Sequence, residues 1–396
     1  MLFKKLFLFC TVALCFTAVC HAKKPAVTAK ESIEGIFALA DIQVGGTRPW
    51  DIQVHNDEFY ARVLASGSLG LGESYIDGWW DCQNLDQFIY RVQRSKLEKR
   101  VKPSWNLAWD YVKATIFNLQ DKVGAKRVID VHYQLGNDLY KAMLDPLMVY
   151  SCGYWKNAKN LDEAEIAKFD IICRKLGFKP GMKVLDIGCG WGGFEKYAAE
   201  KYGVNILGIT LSENQAEQAR EVCKGLPVEI RVQDYRDVKG QFDRVVEIGM
   251  FEHVGPKNYR EFMEICHRNL KPDGQLMLHT IGRDTSSVLT DPWINKYIFP
   301  NGVLPSIAQI AKSSEGLFIM EDWHNFGADY DKTLMAWFQN FNANWDKLQP
   351  TYGDRFYRMW KYYLLSCAGS FRARHIQLWQ VVFSKDGIEG GHESVR

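Results

Sequence analysis

The chain has 396 residues, of which 47% are hydrophobic and 24% charged, and its formal net charge is +2 at pH 7. This length accommodates two domains with a large buried core. The near-neutral charge excludes a surface that binds nucleic acid through an overall excess of basic residues. The 13 Trp, 18 Tyr and 22 Phe suit a protein that handles acyl chains or meets a membrane interface, although large cores also use aromatic residues.

Residues 1–22 have the pattern of a secretory leader. Lys4 and Lys5 precede an apolar run over residues 6–19, and small residues ending at Ala22 form a possible cleavage site. The same run could remain as an uncleaved anchor, although it is short for a membrane span. The sequence therefore predicts a signal-peptide-like leader or anchor over residues 1–22.

The cysteines favour a reducing compartment. Three of the ten, Cys10, Cys15 and Cys20, lie in the leader, and the other seven are scattered without a C-x-x-C pair. An odd number of separated cysteines within predicted core elements is typical of a reduced cytosolic protein, and it favours neither a disulfide framework nor a zinc site. The leader and the remaining cysteines thus indicate different compartments.

A small N-terminal domain is expected over residues 31–120. Residues 51–55 alternate like a strand, residues 59–65 look helical, and residues 67–80 read as a glycine-broken turn that leads into an aromatic segment. Residues 91–127 are locally basic, and residues 105–119 carry Trp and aliphatic side chains at helical spacing. Such a helix suits an anionic membrane surface, and it equally suits packing on its own domain with a solvated basic face.

Strands and helices alternate through the main domain, which is expected over residues 130–386. Strands are predicted at residues 183–187, 204–210, 228–233, 242–248 and 274–281, with a late strand at 378–384. This alternation predicts an α/β fold with a doubly wound sheet and with ligands at the carboxyl ends of the strands. Residues 291–374 are expected to form an aromatic-rich helical insertion whose rings line an apolar tunnel or fill a core.

The stretch MKVLDIGCGWGG at residues 182–193 carries the first chemical signal. Asp186 ends a short strand, and Gly188, Gly190 and Gly192 follow at every second position before a helix. Glycine lets the backbone approach a ligand closely, and the start of a helix offers free N–H groups. The spacing D-x-G-x-G-x-G-G resembles motif I of the class I S-adenosylmethionine (AdoMet) methyltransferases, and it differs from the G-x-G-x-x-G of dinucleotide-binding folds.

Several longer stretches together resemble the cyclopropane-fatty-acyl-phospholipid synthases, which belong with the mycolic acid cyclopropane synthases. These stretches are residues 67–80, 132–137, 150–152, 184–193, 249–256, 278–281, 291–301, 320–330 and 368–380. The resemblance runs over residues 51–384, and it includes a small N-terminal domain that the mycolic branch lacks. It implies a Rossmann-like mixed sheet, a helical insertion that binds lipid, and transfer of a methylene group from AdoMet to the cis double bond of an unsaturated phospholipid acyl chain.

The resemblance also implies the catalytic residues. The family is understood to use a bound bicarbonate as the base that removes a proton from the new methyl group, and its holders correspond to Cys152, Glu252, His279 and Tyr330. A neutral His and a Tyr hydroxyl can donate to bicarbonate oxygens, and a carboxylate can accept the bicarbonate O–H. Cys367 matches a cysteine that has sometimes been assigned a catalytic role. A covalent thiol intermediate has no evident place in methylene transfer, and residues 366–369 look like helix packing.

For AdoMet, the resemblance and the glycine motif together predict contacts from twelve residues. These are Tyr150, Ser151, Asp186, Gly188, Gly190, Gly192, Thr210, Leu211, Ser212, Gln215, Asp234 and Tyr235. Class I methyltransferases usually end the second strand with an acidic residue that binds the ribose. Here Thr210 stands in that place, and Gln215 is expected to take over. Asp234 would accept from the adenine amino group, and Tyr235 would stack on the base or cover it.

Two further functions stay open at this point: an AdoMet-dependent methyltransferase that acts on another lipid or on an amine, and a catalytically inactive lipid-binding protein of the envelope. The expected partners are membrane phospholipids with unsaturated acyl chains and a second copy in a homodimer, without nucleic acid and without a metal. Because AdoMet is a cytosolic metabolite, we expect a peripheral protein on the cytoplasmic face of the inner membrane. A cleaved leader would place the protein in the periplasm instead.

Overall fold

The structure, a computed structural model, describes residues 27–97 and 136–396. The leader over residues 1–22 and most of the basic segment over residues 91–127 lie outside these ranges. The predictions made for the leader and for the helix at residues 105–119 therefore remain predictions.

Within residues 27–97, the N-terminal region consists of three helices and a two-stranded antiparallel sheet. Their bounds are α1 Ala29–Ala38, β1 Ile52–Val54, α2 Glu58–Ile76, β2 Trp80–Cys82 and α3 Leu85–Arg94. The turn predicted over residues 67–80 is wrong for most of its length, because α2 continues through a kink at Gly67, where φ is 54°. Close packing explains one of the glycines beyond the kink, because a Cβ atom at Gly72 would overlap the indole of Trp293.

The sheet of the main domain is mixed, as predicted, and it has seven strands where six were predicted. Its first elements are α4 Asn137–Met143, α5 Leu161–Lys175, β3 Lys183–Ile187, α6 Gly193–Tyr202, β4 Asn205–Thr210, α7 Glu213–Val222, β5 Val228–Val232, β6 Phe242–Ile248, α8 Tyr259–Asn269 and β7 Leu270–Arg283. The strand order is β5-β4-β3-β6-β7-β9-β8, where β8 and β9 are defined below. Strands β3 to β7 pair in parallel, so their carboxyl ends share one edge of the sheet.

The segment over residues 291–374 is not entirely helical. It contains α9 Pro292–Tyr297, α10 Ile307–Ser314, α11 Ala328–Ala343 and α12 Trp345–Arg372, but it also contains the edge strand β8 Ile319–Asn325. Strand β8 pairs antiparallel with the last strand, β9 Ile376–Ser384, and β9 pairs antiparallel with β7. The sequence of β8 gives little sign of a strand, because polar residues follow Ile319 and Met320 without a regular alternation. In the structure these two side chains are about half exposed, at 51% and 53%.

One hydrophobic cluster joins the N-terminal region to the helical segment. Phe59, Trp80 and Phe88 from the first belong to the same cluster as Trp337 and Trp360 from the second. The aromatic side chains of α11 and α12 therefore fill a core that the two parts of the chain share. No helix within the two described ranges is long and apolar enough to cross a membrane.

Candidate active site

The glycine turn after β3 lines one side of a cavity at the carboxyl edge of the sheet. Gly188, Gly190 and Gly192 have φ values of 101°, 53° and 88°, a region that residues with side chains rarely adopt. A Cβ atom at Gly190 would meet no protein atom within 4 Å, whereas one at Gly193 would lie 2.5 Å from the Leu147 carbonyl oxygen. Gly190 therefore leaves room for a ligand, and Gly193 allows close packing.

Ten of the twelve residues predicted to contact AdoMet line this cavity. They are Tyr150, Ser151, Asp186, Gly188, Gly190, Thr210, Leu211, Gln215, Asp234 and Tyr235. The other two residues, Gly192 and Ser212, do not line the cavity. Gly192 packs against Ala219, whose Cα would lie 3.0 Å from an added Cβ atom. Ser212 caps α7, because its hydroxyl accepts from the Gln215 N–H at 3.3 Å.

A buried pair of carboxyl groups, Asp186 and Glu195, flanks the glycine turn. Burial raises the pKa of Asp186 to about 6, and burial together with the neighbouring Asp186 raises the pKa of Glu195 well above its ordinary value. Glu195 lowers the pKa of Asp186 and Asp186 raises the pKa of Glu195, so Glu195 keeps its proton to a higher pH than Asp186 does. The sequence analysis missed Glu195, although an acidic residue so soon after the glycine turn was an available signal.

The side chains expected near the ribose and the adenine have defined partners. The Thr210 hydroxyl donates to Gln215 Oε1 at 2.8 Å, so the Gln215 amide nitrogen is the group left to donate to a ribose. Asp234 accepts from the Arg236 backbone N–H and from its guanidinium, each at 2.9 Å. The same guanidinium lies over the ring of Tyr235. Arg236, which lines the cavity, was not predicted.

Glu252 lies in the short 3₁₀ turn Phe251–His253, between residues that line the cavity. Its Oε1 atom accepts from the Ile281 N–H at 2.6 Å, whereas its buried Oε2 atom has no partner among the described residues. Burial raises the pKa of this carboxyl to about 7. A carboxylate oxygen without a partner at this position can accept a hydrogen bond from a bound group.

His279 lies on β7, directly opposite Gln380 of β9. The Gln380 amide nitrogen lies 3.3 Å from His279 Nδ1, and an amide nitrogen can only donate, so the imidazole proton is on Nε2. Burial lowers the pKa of His279 well below its ordinary value, and the buried Nε2 atom has no partner within the described part of the chain. His279 is therefore a neutral donor.

Cys152 lies beside α11, one helical turn away from Tyr330. The Cys152 sulfur lies 4.0 Å from the hydroxyl of Thr333, which follows Tyr330 by three residues on the same helix. Burial raises the pKa values of the Cys152 thiol and the Tyr330 hydroxyl well above their ordinary values. Cys152 and Glu252 also raise the pKa of Tyr330 electrostatically, so the three side chains share one neighbourhood.

Cys367 lies on α12, in the segment that packs on the N-terminal region. A Cβ atom at Gly369, two residues later, would lie 2.5 Å from the Asp86 carbonyl oxygen of α3. Burial, with a contribution from Asp291, raises the pKa of the Cys367 thiol to about 12. A thiol that stays protonated is a poor nucleophile, which supports the packing interpretation of residues 366–369.

Glu247 holds the turn that carries Glu252, and sequence reasoning missed it. Its Oε1 atom accepts the backbone N–H groups of Met250 and Phe251. Burial, with the neighbouring Glu252, raises its pKa well above the ordinary value. The signal was an acidic residue among the apolar residues Val245, Val246 and Ile248 at the end of β6. Within residues 27–97 and 136–396, no group of three or more His, Cys, Asp or Glu side chains is arranged to hold a metal ion.

Gly190→Val should abolish AdoMet binding while the fold persists, because the new side chain would occupy the open side of the cavity. Calorimetric titration with AdoMet checks this. Gly177→Val is the matched control, since Gly177 has a φ of 55°, also lies in open space, and is not among the residues that line the cavity. Both variants carry the same backbone strain, so normal affinity in Gly190→Val, or equal loss in both, would contradict the assignment.

The comparisons with known proteins agree with this geometry. Residues 120–381 match the family described as mycolic acid cyclopropane synthetase. The chain is 56% identical over 356 residues to the cyclopropane-fatty-acyl-phospholipid synthase of Escherichia coli K12, which covers 90% of this chain and 93% of that protein. It is 35% identical over 276 residues to cyclopropane mycolic acid synthase 3 of Mycobacterium tuberculosis, covering 65% of this chain and 96% of that protein.

Solved structures give the same result. The mycolic acid cyclopropane synthase CmaA1, complexed with S-adenosylhomocysteine and CTAB, superimposes with a TM-score of 0.61 at 33% identity, covering 66% of this chain and 98% of that one. The cyclopropane synthase MmaA2 of Mycobacterium tuberculosis gives a TM-score of 0.62 at 31% identity, with the same coverage. The chain belongs to the mycolic acid cyclopropane synthetase family and has the fold of the class I AdoMet methyltransferases.

Proposed function

We propose that this protein transfers a methylene group from AdoMet to the cis double bond of unsaturated phospholipid acyl chains and so forms cyclopropane fatty acids. The observation that carries the proposal is that two buried polar atoms beside the AdoMet cavity, Glu252 Oε2 and His279 Nε2, have no hydrogen-bond partner among the residues that the structure describes. Leaving such atoms without partners is costly, so they indicate a polar group that binds between them. The 56% identical relative named as a cyclopropane-fatty-acyl-phospholipid synthase supports the same activity.

AdoMet supplies an electrophilic methyl group, and the cavity fits the parts of that molecule. Gly190 leaves the backbone open at the glycine turn, and no atom of the described residues fills the space beside it. Asp186 presents a carboxylate that suits the ammonium group. Gln215 can donate to the ribose, and Asp234 with Tyr235 faces the expected adenine position. These residues bind and orient the molecule, which is the main help that a weakly nucleophilic alkene needs.

Bicarbonate fits the donors and acceptors around Glu252 and His279. His279 Nε2 and the Tyr330 hydroxyl are neutral donors, and they suit an anion's oxygens. Glu252 Oε2 can accept the O–H group, which keeps the base oriented. The neutral Cys152 thiol donates to the Gly153 carbonyl oxygen at 3.2 Å, so it would have to give up that bond to contact the bicarbonate. Removing the proton that allows ring closure is the role that we assign to the bicarbonate held in this position.

Aromatic rings surround this region and exclude water. The hydroxyl groups of Tyr150 and Tyr363 lie 2.9 Å apart, and the ring of Trp337 lies 5.1 Å from Tyr150 and 5.9 Å from Tyr330. Ring faces stabilise a positive charge that develops on the acyl chain, and a dry site protects that carbon from attack by water. The lipid-binding role of the helical segment over residues 291–374 is part of this proposal.

The localisation and assembly follow from the same function. We propose that the protein is peripheral on the cytoplasmic face of the inner membrane, where both AdoMet and phospholipid are accessible. A homodimer also remains a proposal, and the exposed Ile319 and Met320 at the sheet edge offer apolar surface for it.

Glu252→Ala should lower turnover roughly a hundredfold or more, because one oriented ionic contact at the reacting centre is lost, while AdoMet affinity stays within about twofold. The test expresses each protein in a bacterium that lacks cyclopropane fatty acids and measures lipids by mass spectrometry. Phospholipid chains should gain one CH₂ unit with the wild type. Proton NMR then distinguishes the ring from a methyl-branched alkene of equal mass.

Two results would contradict this proposal: a Glu252→Ala enzyme within about twofold of the wild type, and unchanged turnover after rigorous removal of bicarbonate. Methylation without ring closure would favour another AdoMet-dependent lipid methyltransferase. A wild-type protein that leaves the lipids unmodified would favour the inactive lipid-binding alternative.

The pH profile of kcat should rise through about pH 7. Burial raises the pKa of Glu252 to about 7, so the carboxylate that accepts the bicarbonate O–H forms only above that pH. The measurement holds the bicarbonate concentration fixed at each pH. Glu252→Gln has no group that titrates at this position and should lose the ascending limb, whereas a limb that persists in this variant would assign it to another group, such as Asp186.

A fusion at the C-terminus tests the proposed location. If the catalytic body stays in the cytoplasm, a green fluorescent protein fusion should fluoresce and an alkaline phosphatase fusion should be inactive. Intact-mass measurement of the N-terminus shows whether the leader is cleaved. Active alkaline phosphatase, together with cleavage after Ala22, would place the protein in the periplasm and overturn the proposal.

A further inference from the structure

Helix α5 carries two ionisable side chains that are completely buried beside the active site. Glu165 and Lys168 have side-chain exposures of 0%, and Lys168 Nζ lies 2.9 Å from Glu165 Oε2. Burial raises the pKa of Glu165 to about 8, and apolar residues of similar volume usually stabilise a fold at least as well as a buried ionisable pair. Stability alone is therefore a weak reason for this pair, and its neighbours suggest another.

Lys168 reaches from α5 to the wall of the AdoMet cavity. Its Nζ donates to the Ser151 hydroxyl oxygen at 2.7 Å, and Ser151 lines the cavity whereas Lys168 does not. A serine hydroxyl has one proton to donate and two lone pairs to accept. Since Lys168 occupies a lone pair, the Ser151 hydroxyl proton is left to donate to another acceptor.

A carboxylate, whose charge is opposite to that of Lys168, lies elsewhere on the wall of the AdoMet cavity. Asp186 lines the cavity and presents a carboxylate, and Lys168 is close enough to lower the pKa of Asp186, although burial has the larger, opposite effect. The cavity thus offers a negative acceptor and a donor that is backed by a lysine. This combination is complementary to the zwitterionic end of an amino acid, whose ammonium group donates and whose carboxylate accepts.

We infer that Lys168, anchored by Glu165, is a positioning residue that makes the Ser151 hydroxyl a donor to the carboxylate of the AdoMet amino-acid end. The inference rests on the proposed function, because it assumes that AdoMet occupies this cavity. It concerns binding and orientation, and it adds no chemical step. It also explains why the chain retains a buried lysine at a place where packing would be satisfied by an apolar side chain.

Calorimetric titration of Lys168→Met with two nucleosides tests the inference. S-Adenosylhomocysteine carries the amino-acid end, and 5′-methylthioadenosine keeps the adenine and ribose but lacks the carboxylate. We expect Lys168→Met to weaken S-adenosylhomocysteine about tenfold, the usual effect of losing a hydrogen bond to a charged group. Affinity for 5′-methylthioadenosine should stay within about twofold, a difference that a general loss of structure would not produce.

Lys175→Met is the matched control. Lys175 lies on the same helix, its side chain is also 0% exposed, and it pairs with Asp322 at 3.1 Å, but it is not among the residues that line the cavity. This variant should lose stability and keep its affinity for both nucleosides. Equal loss of S-adenosylhomocysteine affinity in the two lysine variants would overturn the inference.

Ser151→Ala completes a double-mutant cycle. Because Lys168 acts through Ser151, replacing both residues should weaken S-adenosylhomocysteine no further than replacing Ser151 alone, and additive losses would overturn the inference. If Lys168→Met fails to fold because Glu165 is left unpaired, the charge-balanced Glu165→Gln/Lys168→Met variant takes its place with the same expectations.

The wild-type protein separates this inference from the proposed function. Binding of S-adenosylhomocysteine by the wild type and, with equal affinity, by Lys168→Met would overturn the inference and leave the function intact. A wild-type protein that binds neither nucleoside would contradict the proposed function and the inference with it.

Discussion

Burial of carboxyl groups at the carboxyl edge of the sheet is the constraint on which the site depends. Burial raises the pKa values of Asp186, Glu195, Glu247 and Glu252, because a carboxylate loses its hydration there. The folded chain therefore binds more protons than the unfolded chain between the ordinary carboxyl pKa and the raised values. By linkage, these groups reduce stability as pH rises through that window. The retained protons let Glu195 act as a donor, while Asp186 and Glu252 provide the negative charge.

The backbone supplies most of the partners that these carboxyl groups have. The Met250 and Phe251 N–H groups point to Glu247, and the Ile281 N–H points to Glu252. Strand β7 thus contributes a main-chain donor to the Glu252 carboxylate and, two residues earlier, the His279 side chain. Strand β9 then sets the tautomer of His279 through Gln380. The antiparallel end of the sheet is therefore part of the site, because it fixes which nitrogen of that imidazole donates.

The aromatic core explains how so many polar groups stay dry. The N-terminal region and the helices α11 and α12 share one hydrophobic cluster, and Arg372 of α12 binds both Asp86 of α3 and Asp331, the neighbour of Tyr330. The small domain expected over residues 31–120 therefore packs, in its described part, as a cover on the helical segment. Excluding water in this way strengthens every electrostatic interaction in the site.

The sequence by itself determined the α/β class, the mixed sheet, the family and ten of the residues that line the cavity, because these follow from local patterns. Alternating apolar runs define the strands, and Asp186 with Gly188 and Gly190 forms a contiguous motif. The local patterns did not predict the roles of several individual side chains. Gly192 and Ser212 do not line the cavity, β8 has no strand-like pattern, and Lys168 looks like an ordinary helix residue. Glu195 and Glu247 stood out only as acidic residues, and neither their burial nor their partners followed from the sequence. Only the tertiary structure decided these, since a residue's burial and its hydrogen-bond partners depend on segments far away in the chain.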